Sequence, residues 1–182
     1  MSDSKTYYTC YESPIGELIL AGDETCLTAL LLPEHHGEPP TIQDAWNPER
    51  APFDEVIRQL DAYFGGRLTD FDLSLAPQGT PFQMRVWQAL TEIPYGSTAS
   101  YGQIATRIGQ PTAMRAVGLA NGRNPLAIVI PCHRVIGASG TLVGYGGGLD
   151  RKRWLLDLEA NVLAQREDAT TQPALGGLAA SR

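Results

Sequence analysis

Cysteine is scarce in this chain: it accounts for three of the 182 residues, an odd number at irregular spacing that argues against a disulfide framework. Long apolar runs are also missing, since no stretch approaches the roughly 18 residues that a membrane span requires. The N-terminus lacks the basic segment followed by an apolar segment that marks a secretory signal peptide. These absences argue against a disulfide-rich secreted protein and a membrane protein. We expect a soluble, cytoplasmic protein with reduced cysteines.

Basic residues are fewer than acidic ones, and the two signs are unevenly distributed. The chain has 14 Lys and Arg residues against 20 Asp and Glu residues, a net charge of −6. Residues 1–78 carry a net charge of −10, whereas residues 79–160 carry +4. Because nucleic acid carries negative phosphates, we expect only the second segment to meet it.

The first segment has the pattern of a small sheet with one helix. Apolar and polar side chains alternate over 7–11, 18–21 and 27–32, with a turn at 13–16, which predicts strands. A loop is expected over 33–52. Apolar residues at helical spacing predict a helix over 54–64, which the two glycines that follow would end.

The chain of 182 residues is long enough for one large core or two small ones. We predict an α+β fold, with a small N-terminal antiparallel-sheet domain over 1–78. A mainly helical C-terminal domain with a helix-turn-helix is predicted over 79–160. Residues 161–182 are rich in Ala, Gly, Gln and Thr, and we expect them to form a disordered tail.

Two capping boxes mark helix starts in the second domain. Thr80 and Gln83 have the residue types and spacing of the first, with Pro81 in the first helical turn. Ser100 and Gln103 repeat the pattern. We therefore predict helices that begin directly after Thr80 and after Ser100.

A third helix is expected from Pro111 to about Gly122, and with the second it gives the helix-turn-helix pattern. Arg115 is its only charged residue among small and apolar side chains. One interpretation is a solvated arginine on a packed helix. The other is a recognition helix whose small residues allow close contact with a DNA groove, with the arginine pushed into the base stack.

Cys132 is followed directly by His133 and Arg134, whereas Cys10 and Cys26 have no basic neighbour. A free cysteine is usually a small buried apolar residue, and we apply that interpretation to Cys10 and Cys26. A thiol of reference pKa about 8.5 needs such neighbours to become a thiolate near neutral pH. On spacing alone a structural and a reactive Cys132 stay equally open, with a bridging water to His133 in the reactive case.

Two further residues have open interpretations. Glu159 follows Leu155 by four residues, at the edge of the apolar stripe of a helix expected to begin at about Asp150. Its carboxylate either points to solvent or orients an imidazole, as the third member of a Cys-His-Glu relay. Tyr101 opens the second helix and is more often a packing residue than a functional one.

The segment Pro131-Cys132-His133-Arg134-Val135-Ile136 resembles the active-site motif of the O6-alkylguanine-DNA alkyltransferases. Other segments match the family in order and spacing over residues 80–160, and residues 13–16 fit its N-terminal domain. These segments are Ile93-Pro94-Tyr95-Gly96, Ser100-Tyr101, Arg115-Ala116-Val117-Gly118, Asn124-Pro125, Tyr145 with Gly147-Gly148-Leu149, and Trp154-Leu155-Leu156 through Glu159.

The resemblance implies a suicide alkyl transfer. Cys132 would attack the alkyl carbon in line as a thiolate, with His133 as the water-mediated base and Glu159 as the carboxylate that holds the imidazole. Asn124 matches the family's hinge asparagine, which braces the turn between recognition helix and active site. The thioether product has no water-labile bond, so each molecule acts once, and no cofactor is needed.

The resemblance also implies double-stranded DNA as the partner, entered through the minor groove. Arg115 matches the arginine that fills the gap left by the flipped guanine, and Tyr101 the tyrosine that rotates the phosphate and donates to the guanine ring. Expected groove contacts are Ala113, Ala116 and Gly118, and the expected base pocket consists of Val135, Tyr145, Gly146 and Gly147. We expect a monomer; cooperative assembly on DNA, the alkyl group preferred and activity on O4-alkylthymine stay open.

The chain departs from the family in two places. Some members bind a structural zinc, but Asp23 and Thr28 stand where two of its ligands would fall, so we predict no metal site. The alternative ligand set is Cys10, Cys26, His35 and His36. Gly146 stands where some members have a serine, and the smaller residue is expected to admit bulkier alkyl groups.

Three other functions compete with the repair enzyme. A non-enzymatic binder of alkylated guanine with the same fold would lack the cysteine, and Cys132 is present. A Cys-His-Glu hydrolase would turn over on esters or amides, whereas an alkyl acceptor is stoichiometric. A transcriptional regulator would need a sensor module, and the acidic residues 1–78 lack a metal-binding cysteine cluster.

Overall fold

The computed structural model describes residues 5–35 and 37–171. Its N-terminal part contains a four-stranded sheet of order β3-β2-β1-β4. The strands are β1 (Tyr7–Ser13), β2 (Gly16–Gly22), β3 (Leu27–Leu31) and β4 (Asn47–Pro48). Pairing is antiparallel for β1 with β2 and for β2 with β3, and parallel for β1 with β4. The predicted sheet is confirmed, while the loop expected over 33–52 contains the short strand β4 and the start of a 3-10 turn, Ala51–Phe53.

Helix α1 (Asp54–Phe64) packs on this sheet, as its apolar spacing predicts. Its buried face includes Leu60 and Tyr63, both fully buried. The hydroxyl of Tyr11 in β1 donates to Asp61 at 2.6 Å and fixes the helix on the strand. The Tyr63 side chain reaches past the sheet toward the second half of the chain.

The second half of the chain is mainly helical. Its helices are α2 (Pro81–Thr91), α3 (Tyr101–Arg107), α4 (Met114–Gly122) and α5 (Leu149–Thr171). The strands β5 (Ala99–Ser100) and β6 (Val135–Ile136) form a parallel pair. Both predicted capping boxes are present, with side-chain and backbone bonds in each direction. The α+β fold is therefore confirmed.

Helix α4 begins three residues later than Pro111, the predicted start of the third helix. The backbone N–H of Ala113 donates to the carbonyl of Gln110 at 2.9 Å, so these residues form a turn before the helix. Proline at a helix start is a frequent but not a sufficient signal, because the same fixed φ suits a turn.

The prediction of a disordered tail from residue 161 is wrong for residues 161–171, which continue α5. Val162 is buried against Gly66, where an added Cβ would lie 2.7 Å from its methyl group. Leu163 packs against Gly96, and Arg166 donates to the carbonyl of Gly66 at 2.9 Å. These contacts with residues distant in the chain stabilise the last turns of the helix. The composition of residues 161–171 alone does not reveal them. Residues 172–182 lie outside the described residues.

One apolar core joins the two halves. At the edge of the sheet, the N–H of Leu30 in β3 donates to the carbonyl of Pro125 at 2.7 Å. The N–H of Ala127 donates back to the carbonyl of Leu30 at 3.2 Å. The segment that leads to Cys132 is thereby attached to the N-terminal sheet. Over the described ranges, no helix combines the length and apolarity needed to cross a membrane.

Candidate active site

The backbone that precedes Cys132 is tightly folded. Asn124 donates through Nδ2 to the carbonyl of Ile130 at 2.8 Å and accepts from the N–H of Leu126 at 3.0 Å. Between these bonds Ile128 has a φ of 72°, a left-handed conformation that is costly for a β-branched residue. The side chain of Asn124 therefore spans the turn and fixes the entry to the 3-10 turn Cys132–Arg134.

Cys132 is buried, with 5% of its surface exposed. Burial raises the pKa of its thiol above the ordinary value, while the side chain of Asn124, the cation of Lys152 and the side chain of Tyr145 partly oppose that shift. At neutral pH the resting thiol is therefore protonated. The cation that lowers this pKa is Lys152 rather than Arg134, whose guanidinium points at Glu159.

Glu159 lies fully buried at the centre of a polar cluster, and its carboxylate does not point to solvent. His133 contacts it through Nε2 at 2.9 Å. Arg134 donates to it through Nε and Nη2, both at 2.9 Å. The hydroxyl of Tyr63 donates at 2.8 Å and the N–H of Gly96 at 2.9 Å. Every oxygen lone pair of this buried anion thus has a donor nearby.

These contacts fix the protonation states of the pair. Burial alone would raise the pKa of Glu159, but the hydrogen bonds and charges of His133 and Arg134 outweigh it and lower the pKa to about 2. Burial also lowers the pKa of His133, against the opposing effect of Glu159. A neutral imidazole beside an ionised carboxylate donates its Nε2 proton to that carboxylate. Nδ1 of His133, buried and without a protein partner among the described residues, is then a proton acceptor.

Lys152 is a fully buried cation beside the same site. Its ammonium donates to the carbonyls of Val135 and, at 2.9 Å, of Val143. Burial lowers the pKa of Lys152 to about 8, with Cys132 opposing that shift. At neutral pH it remains the positive group that stabilises a thiolate at position 132.

A cavity of about 380 Å³ opens on Cys132. Tyr145 and Gly146, which were predicted to surround a base, line it together with Asn124 and Ala127. Gly147 and Val135, which were also predicted for the base pocket, are buried but do not line this cavity. The buried Tyr145 hydroxyl interacts with the Cys132 thiol, and burial, together with that neighbour, raises the pKa of Tyr145 well above the usual value.

The space beside Gly146, which was expected to admit a larger alkyl group, is occupied in this structure by a side chain from the N-terminal half. A Cβ placed on Gly146 would lie 2.5 Å from Nδ1 of His35. The imidazole of a distant residue therefore fills the space that a serine side chain would take.

The last two residues of α4, Asn121 and Gly122, line the cavity, whereas the exposed face of the helix does not. Arg115 and Ala116 are exposed on this face, and Ala113 and Gly118 are half-buried. Tyr101 is also half-buried, and its ring lies against the helix at Gly118. Met114 and Leu119 are 52% and 64% exposed. The Tyr101 hydroxyl donates to the carbonyls of Val143 and Gly144 at 3.3 Å. The structure thus brings Tyr101 to the boundary between α4 and the loop that contains Tyr145.

The alternative metal ligands do not form a described site. Cys10 is exposed, contrary to the buried position expected for it, and Cys26 is half-buried. His36 lies outside the described residues. Within residues 5–35 and 37–171, no three His, Cys, Asp or Glu residues meet in a metal-binding group.

The sequence did not predict that Tyr63 and Lys152 belong to the site, or that Arg134 binds Glu159. Lys152 had a readable signal, since it precedes Leu155 and Glu159 by three and seven residues and so shares their helix face. Tyr63 had none, because it lies 96 residues from Glu159 in the chain.

Comparison with known proteins gives consistent matches over both halves. The family model described as the ribonuclease-like domain of 6-O-methylguanine DNA methyltransferase matches residues 6–77, and the model of its DNA binding domain matches residues 81–161. A methylated-DNA–protein-cysteine methyltransferase of Mycobacterium leprae is 60% identical over 148 residues, 81% of this chain and 88% of the relative. One from Methanosarcina acetivorans is 54% identical over 85% of this chain and 99% of its own length. The crystal structure of Mycobacterium tuberculosis OGT in complex with DNA is similar with a TM-score of 0.80 and 55% identity, covering 86% of this chain and 94% of that one.

Proposed function

Because this chain belongs to the 6-O-methylguanine DNA methyltransferase family, we propose that it repairs DNA by moving an alkyl group from O6 of guanine to Cys132. The observation that carries the proposal is the buried thiol at the wall of a cavity, adjoining the His133–Glu159 pair. A cysteine in this setting needs only an activated alkyl donor and a proton acceptor. Both the repair of DNA and the transfer to cysteine follow from family membership.

The transfer is a single displacement at carbon. The thiol proton leaves for Nδ1 of His133, directly or through one water molecule, and Sγ of Cys132 attacks the alkyl carbon. The S–C bond forms as the C–O bond to guanine breaks, and the electron pair stays on the base. The base takes up one proton at a ring nitrogen from the Tyr101 hydroxyl, and the proton held by the His133 imidazolium returns through solvent to the Tyr101 oxygen, so that both side chains end neutral. Glu159 stabilises the imidazolium that forms in between.

Two charges balance the thiolate in this mechanism. The raised pKa of Cys132 keeps the thiol protonated until a base occupies the cavity, which protects it from oxidants and other electrophiles. The Lys152 ammonium lowers the cost of ionisation at the moment of attack. The thioether product lacks a water-labile bond, so one molecule repairs one lesion and needs no cofactor.

We assign the exposed face of α4 to the minor groove, since its small residues allow close approach of the helix backbone. Arg115 enters the stack in place of the extruded guanine, which turns into the cavity. The Tyr101 ring lies beside Gly118, where an added Cβ would be in ordinary contact with it at 3.8 Å. We propose that one monomer suffices, because all of these residues come from one chain.

Replacing Lys152 by methionine is expected to slow alkyl transfer about tenfold at pH 7, since an opposite charge nearby shifts a pKa by at least one unit. Removing the ammonium raises the pKa of Cys132, so the thiolate fraction at a given pH falls and the pH–rate profile moves to higher pH. In wild-type protein the Lys152 ammonium assists ionisation of Cys132 only below the Lys152 pKa of about 8, because above it the side chain is neutral. Single-turnover rates from pH 6 to 9 measure this shift.

The matched control for Lys152→Met is Arg153→Met, because Arg153 is exposed on the same helix. It removes the same charge without touching the buried site. A Lys152→Met profile that coincides with that of Arg153→Met would show that Lys152 does not assist ionisation.

The experiment that tests the proposed function is transfer of one methyl group from a duplex with a single O6-methylguanine to Cys132. A hydrolase of the same architecture would leave Cys132 unmodified and would turn over on an ester.

A further inference from the structure

Gly146 of the cavity wall and the next residue, Gly147, are covered by side chains from the other half of the chain. The ring of His35 lies over Gly146, where an added Cβ would be 2.5 Å from Nδ1 and 2.6 Å from Cε1. Leu32 lies as closely over Gly147. Both covering residues belong to the segment that follows β3. The N-terminal sheet thus contributes directly to the wall of the reaction cavity.

The covering segment is held in place at both ends. Leu32 is 6% exposed and belongs to the apolar core. Beyond His35 the chain turns back, and His35 and Glu38 exchange two backbone hydrogen bonds of 2.7 and 3.1 Å. Arg151 donates to the carbonyl of Gly147 at 3.0 Å and forms an ion pair of 3.7 Å with Glu34. These contacts hold the backbone on both sides of His35, from which the imidazole reaches over Gly146.

His35 also lines the cavity that opens on Cys132. Ala127 and Asn124 line it from the turn that precedes the cysteine, and Tyr145 and Gly146 from the glycine loop. A guanine presented to Cys132 must place its O6 substituent among these groups, since the alkyl carbon has to reach Sγ. An imidazole is comparable in size with an aromatic substituent, so both cannot occupy the same part of the cavity.

We propose that His35 sets the size of the alkyl group that the protein accepts. In this structure its ring takes the place beside Gly146, so a methyl group fits under it and a benzyl group has to displace it. Glycine at position 146 is required by the histidine rather than by the substrate, because any Cβ there would meet the imidazole. The inference rests on the proposed transfer to Cys132 and adds a specificity residue to it.

The test compares two duplexes that differ only in carrying O6-methylguanine or O6-benzylguanine. Replacing His35 by alanine is expected to raise the ratio of the benzyl rate to the methyl rate about tenfold, the lower end of what a change in pocket size achieves. His35→Phe keeps the bulk of the ring and should keep the ratio near that of wild type. The ratio is insensitive to the fraction of folded protein, because both substrates meet the same active molecules.

A second pair of variants tests the contact itself. Gly146→Ala should slow both reactions in wild-type protein, where the new Cβ meets the imidazole. In the His35→Ala background the same change should cost clearly less, which is the coupling expected of two groups in contact. An unchanged benzyl-to-methyl ratio in His35→Ala, or equal effects of Gly146→Ala in both backgrounds, would overturn the inference. A wild-type protein that transfers neither group would instead contradict the transfer to Cys132.

Discussion

Replacing Arg134 by methionine is expected to lower the free energy of unfolding by about 3–5 kcal/mol, the usual cost of removing one partner of a buried ion pair. Arg134 and Glu159 have 7% and 0% of their side chains exposed. Without the guanidinium, the carboxylate keeps only the donors from Tyr63, Gly96 and His133 and remains a buried anion. Arg134 also donates to the carbonyl of Ile93 at 2.7 Å, which would lose its partner.

Urea unfolding at pH 7 measures this loss, with the double variant Arg134→Met, Glu159→Met as its control. Removing both charges should cost less than the sum of the two single changes, since no unpaired charge remains. The loss should also shrink in acid. The pKa of Glu159 is about 2 in the folded protein against 4.5 as its ordinary value, so its ionised contribution is complete above pH 4.5 and is lost as the pH falls toward 2. A loss of stability independent of pH would mean that the ion pair is not its source.

Arg115→Ala is expected to slow repair of duplex DNA about a hundredfold, because extruding a base from the stack costs a few kcal/mol that the inserted side chain offsets. The same variant should react with free O6-benzylguanine base almost as wild-type protein does. Arg115 is exposed on α4, while Cys132 is buried, so the chemical step does not depend on this guanidinium. The ratio of the two losses separates base extrusion from alkyl transfer.

Single-turnover rates on both substrates, at saturating protein, make this comparison. Arg153→Ala removes one exposed positive charge on α5 and serves as the control for the general attraction to phosphates. Equal losses on the duplex and on the free base would exclude a role for Arg115 in flipping.

The sequence predicted those parts of the fold that depend on local signals. The capping boxes at Thr80 and Ser100 place the starts of α2 and α3 correctly, because each satisfies its own helix N-terminus. The alternation of apolar and polar residues in the N-terminal strands and the helical spacing of apolar residues in α1 also predict their elements correctly, because both are local patterns. The family was predicted from the motif around Cys132, and the two matching family models confirm it.

The features that the sequence did not predict depend on residues that are far apart in the chain. The last turns of α5 form because Val162 meets Gly66, and the buried Glu159 carboxylate accepts hydrogen bonds from Arg134 and Tyr63. His35 was considered only as a metal ligand, although the structure places it over Gly146. No local pattern reports such pairings, since each is decided by the tertiary packing of two segments.

The central claim is that Cys132 itself receives the alkyl group. Intact-mass measurement after mixing the protein with a duplex containing one O6-methylguanine tests it most directly, with Cys132→Ser treated in parallel. We predict the mass of one methyl group, saturating at one per molecule, located on Cys132 by peptide mapping and absent from the variant. An unmodified protein that still binds the lesion would contradict the account and indicate a damage-binding protein without transfer.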